Sequence, residues 1–593
     1  MSSGADTTLW ISAFCDELAR AGVCEVVVAP GSRSTPLVLA FDADDRFSVR
    51  VHLDERSAAF FALGIGKASG LPAVLVTTSG TATANAFPAV IEASHSEAPL
   101  LVLTADRPHH LRDSDANQAI DQLRLFGPYP RAFFEVAPPS VEDAALRHLR
   151  TLAVRAVAAA RGAVPGPVHL NFPLDGPFEP IEGHRDFLEK NSLAGAGRSG
   201  GDAFVQVDAG RRQVSSEALD TLLGALDTPR GVIVAGPSSD PVKSGEAVLR
   251  LAAATGFPLL ADPLSGARFA PSSGAHVVAG YDLLLRAPDV HAALAPSLVL
   301  RVGASPTSTA LQAWLFHNDG VRHIVIDGGG RWKDHGATAT DYVRADAADT
   351  LAWLAARASA SAGDEWRKLW LSAESAVRVA LQSERGEPHE GDVLATVSAA
   401  VPEGANLFVS SSMPIRDLDA FGVIRDETVR VFGNRGASGI DGIPSTAFGV
   451  AAATGQPTVC VIGDVALFHD LNGLLWSREP DAPVVFVLID NDGGGIFHIL
   501  PIAEHEPAFT KYFATPHGLD FRHVAEMHDI AFYDGEIDGL DTALTVALES
   551  GRTCIVRVRT DRETNVRRHQ EVSDAVTEAV REALTLPPTP RRP

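Results

Sequence analysis

Short apolar runs rich in Val, Ile and Leu recur along the chain, and nearly every one closes on glycine or a polar residue. In the first 180 residues they fall at 25–29, 49–51, 73–77 and 100–104, with helical stretches between them. They return at 231–237, 297–302 and 323–327, and again at 406–409, 429–432, 458–462 and 483–489. Strand, turn, helix and strand in that order predict parallel βαβ units. The fold expected is therefore α/β, with doubly wound parallel sheets. At 593 residues the chain is too long for one core, and three domains are expected.

Composition shifts place the boundaries. The Gly/Ser/Ala-rich stretch at 188–204 reads as a linker after a first domain at 1–187, and the Ala/Ser-rich stretch near 356–363 marks another. A central domain is expected at 205–357, a linker and helix at 358–390, a third domain at 391–585, and a frayed Pro- and Arg-rich tail at 586–593. The first and third regions look topologically alike, and no repeat of solenoid period is present.

The stretch 458–497 carries the most chemistry. A strand at 458–462 ends in Gly463-Asp464, a helix is expected over 466–477, and a strand at 483–489 runs into Asp490-Asn491-Asp492 and three glycines. Open α/β sheets bind ligands at the carboxyl ends of their strands. There the Asp464 carboxylate and the Asn491 amide oxygen would lie side by side, and a few hard oxygen ligands suit Mg²⁺, which takes its remaining ligands from water and phosphate. The helix start after Gly463 offers free N–H groups to a diphosphate. Glycines 493 to 495 let a backbone carbonyl approach the metal without a side chain in the way. The same residues are also compatible with an ordinary Rossmann-like unit whose polar loops only cap a helix.

In the first region, Ser32 and Arg33 in the loop Pro30–Pro36 are placed for anion binding, or form a solvated turn. Glu55 follows the run at 49–51 at a turn where a carboxylate usually just complements a helix dipole. Ser79-Gly80-Thr81 and Asp106-Arg107 close the next two strands, and the amides of Asn117 and Gln118 follow an Asp/Ser cluster. In the central region Asp327-Gly328-Gly329-Gly330 lacks GxGxxG spacing, which favours a spacer domain without cofactor.

Charge narrows the chemistry further. A formal net charge of −24 with no basic stripe argues against nucleic acid, and leaves any anionic substrate to a few local arginines. No apolar run reaches the length of a membrane span, and the N-terminus lacks the basic start and apolar core of a signal peptide. The four cysteines are scattered without a CxxC pair, as expected of free thiols in a reducing cytoplasm.

Gly463-Asp464 followed by Asn491 resembles the thiamine diphosphate motif. Together, PGSRSTPL, LDERSAAF, TTSGTATANAFPAVIEAS, LTADRP, ANQAI, SSSMPIRDLD, NRGASGIDG and NDGGGIF resemble one branch of that superfamily, the 2-succinyl-5-enolpyruvyl-6-hydroxy-3-cyclohexene-1-carboxylate synthases of menaquinone biosynthesis. The resemblance covers the first and third regions in order; the central one matches only in length and general pattern. It implies three domains, pyrimidine-binding, central and diphosphate-binding, and a homo-oligomer, at least a dimer and expectedly a tetramer. It implies thiamine diphosphate with Mg²⁺ or Mn²⁺ as cofactors, decarboxylation of 2-oxoglutarate, and addition of the succinyl carbanion to isochorismate.

Carried over residue by residue, the resemblance makes Glu55 the catalytic partner of the aminopyrimidine ring and Ile440 the apolar prop of the bent cofactor. Gly463, Asp464, Asn491, Gly493, Ile496 and Phe497 complete the cofactor contacts, with Asp464, Asn491 and Gly493 on the metal. Arg416 and Arg435 would hold the succinyl group, and Ser412 is a further substrate-binding residue. Ser32, Arg33, Arg107, Asn117 and Gln118 would face isochorismate or the adduct. Two departures stand out: aspartates flank Asn491 where relatives often carry asparagines, and residues 305–310 hold no cation where some relatives place a Lys-Arg pair. Rival readings are an acetolactate synthase or simple 2-oxoacid decarboxylase, which needs fewer loop arginines, and a regulatory paralogue without turnover. A dehydrogenase lacks its GxGxxG and a serine hydrolase its GxSxG.

Overall fold

The computed structural model describes residues 4–179, 192–329, 331–384, 386–479 and 483–586. The chain forms two compact units: one from Met1–Gly210, Asn434–Gly455 and His469–Ala482, the other from Arg211–Gly433, Gln456–Phe468 and Pro483–Pro593.

In the first unit, β1 (Glu25–Val28), β2 (Ser48–Val51), β3 (Ala73–Thr77), β4 (Leu100–Asp106), β5 (Ala132–Glu135) and β6 (Pro167–Pro173) form one sheet. Its order is β2-β1-β3-β4-β6-β5, with every pairing parallel. β3, β4 and β6 are buried along their whole length; β3 and most of β4 read as unbroken apolar runs for that reason, whereas in β6 His169 and Asn171 alternate with apolar residues and no such run marks it. The helices Glu55–Ser69 and Ile443–Thr454 pack against each other at backbone distance. A Cβ on Gly64 would stand 2.2 Å from the Thr446 carbonyl oxygen, and one on Gly449 2.1 Å from that of Phe61. Each contact therefore requires glycine.

The second unit holds two further sheets. The central one contains β7 (Gly231–Ala235), β8 (Pro258–Ala261), β9 (His276–Val278), β10 (Leu298–Val302), β11 (Arg322–Ile326) and β12 (Asp341–Val343) in the order β12-β11-β10-β7-β8-β9. The last contains β13 (Asn406–Val409), β14 (Arg430–Phe432), β15 (Thr458–Gly463), β16 (Val484–Asp490), β17 (Ala531–Gly535) and β18 (Cys554–Arg559) in the order β14-β13-β15-β16-β18-β17. Counted from its own first strand, that order repeats the one in the first unit. Both sheets are wholly parallel. Between them a fully buried Arg268 donates to the carbonyls of Asp419 and Gly422. No helix among the described residues is long and apolar enough to cross a membrane.

Several local expectations change. The single helix expected at 466–477 is an α-helix, Asp464–His469, and a 3-10 stretch, Leu471–Arg478, broken at Asp470. The buried Asp470 carboxylate accepts from the Ser445 N–H at 2.9 Å and the Ser57 hydroxyl at 2.7 Å, bonds that draw it out of a continuous helix. The helix after β2 begins at Glu55 rather than Ser57, because Asp54 caps it by accepting from the N–H groups of Arg56 and Ser57. Residues 192–204, expected as free linker, are held down: Arg150 donates to the carbonyls of Ala194 and Gly195 at 2.6 and 2.7 Å. Residues 188–191 of that stretch, Gly330, and positions 587–593 of the tail lie outside the described residues.

Candidate active site

Because β1 to β4 run parallel, the loops that follow them open on one edge of the first unit. Ser32 is exposed there, in a 3-10 turn. Arg33 beside it donates to the Leu174 carbonyl and lies 5.0 Å over the Phe178 ring. Its Nε is buried and, among the described residues, has no hydrogen-bond partner. Burial and the nearby Arg107 charge hold its pKa below the usual arginine range. Two desolvated guanidinium groups of one sign make a place where an anion is favoured. Arg107 in turn donates to Ser79 Oγ at 2.6 Å and to the Asn117 carbonyl. Gln118, in a left-handed conformation with φ of 56°, donates through Nε2 to the Ser79 carbonyl at 3.0 Å. Arg33, Arg107, Asn117 and Gln118 are thus one cluster, with Ser32 at its rim.

Behind it lies a residue that the sequence reading missed. Gln122 is fully buried; its Oε1 accepts from the Gly80 N–H at 2.8 Å, and its Nε2 donates to the Ala105 carbonyl and to Asn171 Oδ1. It ties the loop carrying Ser79 to the strand end carrying Arg107.

Glu55 opens its helix half-buried, and its Oε2 accepts from Asn85 Nδ2 at 3.3 Å. The turn that carries it is braced from 469–476. His52 stacks on Trp476 at 4.7 Å and contacts the Asn472 carbonyl, Asn472 Nδ2 donates to Asp54, and Arg56 donates to the His469 carbonyl. The loop bearing Arg435 and Ile440 belongs to the same unit. Its Gly436 and Ala437 N–H groups donate to the two oxygens of the buried Glu92, which also pairs with Lys67 at 2.8 Å.

The second unit holds the other expected residues. Gly463 pairs with Ile489, so the chain leaves β15 and β16 side by side at Asp464 and Asp490-Asn491. Asp464 Oδ2 accepts from the N–H groups of Asn491 at 3.2 Å and Gly493 at 2.9 Å, and Oδ1 from that of Val465 at 2.6 Å. Gly493 has φ of +137°, and a Cβ there would meet the Ala514 carbonyl oxygen at 2.1 Å. Ile496 and Phe497 follow, half-buried, in the 3-10 turn Gly495–Ile499, with Phe497 edge-on to Phe513. β13 is the neighbour of β15, so Ser412 and Arg416 come from an adjacent strand end. Ser412, with φ of 75°, precedes the helix Met413–Phe421 without a side-chain capping bond, and Arg416 donates to the Ser412 carbonyl at 2.5 Å. Arg435 lies in the first unit, Arg416 in the second.

Asn491 supplies the test of metal chemistry. Its Nδ2 donates to Glu390 Oε1 at 2.8 Å, while its Oδ1 is buried and has no hydrogen-bond partner among the described residues. A buried acceptor without a donor is costly unless something other than protein completes it. Burial raises the Asp464 pKa, partly offset by the N–H groups of Gly493 and Val465 and by His517. A cation would stabilise this desolvated carboxylate. The donor set therefore fits a small hard cation.

Three further groups around Asp464 and Asn491, namely Asp490, His517 and Glu390, were not foreseen as site residues. Asp464, Asp490 and His517 bring their ligand atoms within 4.8 Å of one another, and His517 Nε2 stands 3.3 Å from Asp464 Oδ2. Asp490 is also pushed up by burial and by Asp464. Asp492 points elsewhere: its Oδ1 accepts from the N–H groups of His517 and Gly518 at 2.9 and 2.7 Å, fixing the segment that carries His517. The third is Glu390, 1% exposed, with a pKa raised to about 7 by burial and by the Asp417 charge.

Comparison with known proteins defines the class. Residues 11–125 match the N-terminal TPP binding domain of thiamine pyrophosphate enzymes, 204–409 the middle domain of thiamine pyrophosphate enzymes, and 427–558 their C-terminal TPP binding domain. The chain is a thiamine pyrophosphate enzyme. A protein of Halobacterium salinarum named 2-succinyl-5-enolpyruvyl-6-hydroxy-3-cyclohexene-1-carboxylate synthase is 46% identical over 97% of this chain and 99% of its own length. Proteins of the same name from Natronomonas pharaonis (44% identical, 96% and 98% covered) and Geobacillus kaustophilus (42% identical, 97% and 99% covered) match in the same way. The chain belongs to the 2-succinyl-5-enolpyruvyl-6-hydroxy-3-cyclohexene-1-carboxylate synthase family.

Proposed function

We propose that this enzyme decarboxylates 2-oxoglutarate and transfers the succinyl carbanion to isochorismate, using thiamine diphosphate and Mg²⁺ or Mn²⁺. The observation that carries the reading is the unsatisfied, buried Asn491 Oδ1 beside the desolvated Asp464 carboxylate, in a chain that shares almost its full length with the synthases. Asp464 and Asn491, with the Gly493 carbonyl, would hold the metal ion. Gly463, Ile440, Ile496 and Phe497 would line the cofactor. When bound, thiamine diphosphate supplies the carbanion-stabilising chemistry of the decarboxylation.

The protein's own groups supply binding and proton control. Glu55 holds and returns a proton at its carboxylate. Both substrates are dicarboxylates, and a chain of net charge −24 must gather positive charge locally to accept them. Arg33 and Arg107, with Ser32, Asn117 and Gln118, are assigned to isochorismate. Arg416 and Arg435, with Ser412, are assigned to the succinyl moiety, where a planar guanidinium can grip a carboxylate with two parallel bonds. Self-association into at least a dimer, with a tetramer as the expected form, belongs to the same reading.

The test is incubation with thiamine diphosphate, Mg²⁺ and 2-oxoglutarate, with and without isochorismate, following isochorismate loss and product mass. Product that requires every component, and falls by at least about 100-fold in Glu55→Gln, supports the assignment. CO₂ release that ignores isochorismate and accepts pyruvate equally well would replace it with a simple 2-oxoacid decarboxylase.

A further inference from the structure

A metal-binding asparagine has a difficulty that an aspartate lacks. Its side chain presents an oxygen on one side and an NH₂ on the other, and a half-turn about its last torsion would aim two donor hydrogens at a cation. Something must hold the amide the right way round. Inside a protein that choice falls to the group hydrogen-bonded to the amide nitrogen.

That group is Glu390. Its Oε1 accepts from Asn491 Nδ2 at 2.8 Å and from the Thr560 hydroxyl at 2.9 Å. Its backbone N–H donates to Asn565 Oδ1 at 3.1 Å. The residue is fixed in turn by a capping box at the start of the helix Glu390–Ala400, in which the His389 N–H and ring both contact Asp392 Oδ2, at 2.9 and 2.7 Å. Glu390 is 1% exposed, so bulk water does not compete with the Asn491 amide for its oxygen. An aligned donor on one side of the Asn491 amide and an unpartnered oxygen on the other are two results of one contact.

We infer that Glu390 is a positioning residue for the metal site, selecting the rotamer of Asn491 in which Oδ1 and not the NH₂ faces the cation. The inference rests on the cofactor reading above, and its test reads binding rather than turnover. Mn²⁺ is titrated into the full-length protein with thiamine diphosphate, and the free ion is followed by electron paramagnetic resonance. Removing an outer partner of a metal ligand weakens metal affinity by about 10- to 100-fold, the loss expected for Glu390→Ala. Glu390→Gln keeps one acceptor oxygen and should bind more tightly than Glu390→Ala.

The decisive pair reverses donor and acceptor. Asn491→Asp alone sets two carboxylates against each other and loses affinity. Adding Glu390→Gln supplies an NH₂ to the new carboxylate and should recover about tenfold or more of that loss. If Glu390→Ala fails to fold, this pair decides the matter alone. Glu390→Ala that binds Mn²⁺ as tightly as the parent, or a double variant no tighter than Asn491→Asp, would overturn the inference. A parent protein that retains no Mn²⁺ with thiamine diphosphate would overturn the cofactor reading along with it.

Discussion

Gly493→Ala adds one methyl group at the tightest point of the metal loop, and the structure sets its cost. With φ at +137°, an L side chain there pays a backbone penalty of about 1–3 kcal/mol. The new Cβ would also stand 2.1 Å from the Ala514 carbonyl oxygen, so that carbonyl must move. Moving it breaks the 2.7 Å bond it accepts from the Gly494 N–H, worth about 1 kcal/mol net. The total is about 2–4 kcal/mol. The loop escapes the strain by shifting, which also breaks the Gly493 N–H contact to Asp464 and moves Asn491. Felt in full by the metal, 2–4 kcal/mol corresponds to about 30- to 700-fold weaker binding. Calorimetric titration of Mg²⁺ in the presence of thiamine diphosphate measures this directly, with thermal unfolding of the metal-free protein as companion. Gly463→Ala is the control: a Cβ there meets nothing within 4 Å, so metal-free stability should not change. Gly493→Ala with the parent's affinity and melting temperature would refute the steric account.

Two further outcomes follow from buried polar groups in the first unit. Burial drops the His169 pKa from 6.5 to about 3, so the folded protein keeps the ring neutral where the unfolded chain takes up a proton below pH 6.5. Stability from this group is therefore whole above pH 6.5 and is lost at about 1.4 kcal/mol per unit as pH falls toward 3. His169→Gln should narrow its stability deficit against the parent by up to about 2.7 kcal/mol between pH 6.5 and 4.5 in urea titrations, and a deficit independent of pH would contradict it. Gln122→Ala leaves the Gly80 N–H, the Ala105 carbonyl and Asn171 Oδ1 without their shared partner. At about 1–3 kcal/mol for such a loss, it should raise the KM for isochorismate about tenfold or more while leaving Mn²⁺ retention with thiamine diphosphate unchanged. Equal effects on both would mean that Gln122 only supports the fold.

The strands that carry chemistry were legible because they are buried on both faces. Thr458–Gly463 and Val484–Asp490 are continuous apolar runs, and their polar ends stand out against them. Of the sheet edges, β2 and β14 were marked by the runs at 49–51 and 429–432, but others were not legible in the same way. His276–Val278 and Asp341–Val343 have three residues each, and Ala531–Gly535 is partly exposed, so no apolar run marks them. Asp470 was read as mid-helix because its partners, Ser57 and Ser445, are remote in sequence. Glu390 in the stretch His389-Glu390-Gly391-Asp392 looks like ordinary first-turn charge. Its contact with Asn491 spans 101 residues, and nothing local announces it. His517 likewise acquires meaning only when Asp492 draws its backbone toward Asp464.

The first unit is not finished when its first 210 residues leave the ribosome. Phe61 waits for Trp476, on which it stacks at 3.9 Å, and Gly64 waits for the helix Ile443–Thr454. The last segment of the unit ends at Ala482, 272 residues after Gly210 (482 − 210). At roughly 5–20 residues per second, that delay is roughly 14 to 54 s of synthesis. Throughout it, the small-residue face of the helix Glu55–Ser69 stands open. A nascent chain in that interval leaves this helix face open to chaperones and to other nascent chains, so slower translation of residues 211–482 lengthens the time it stays uncovered.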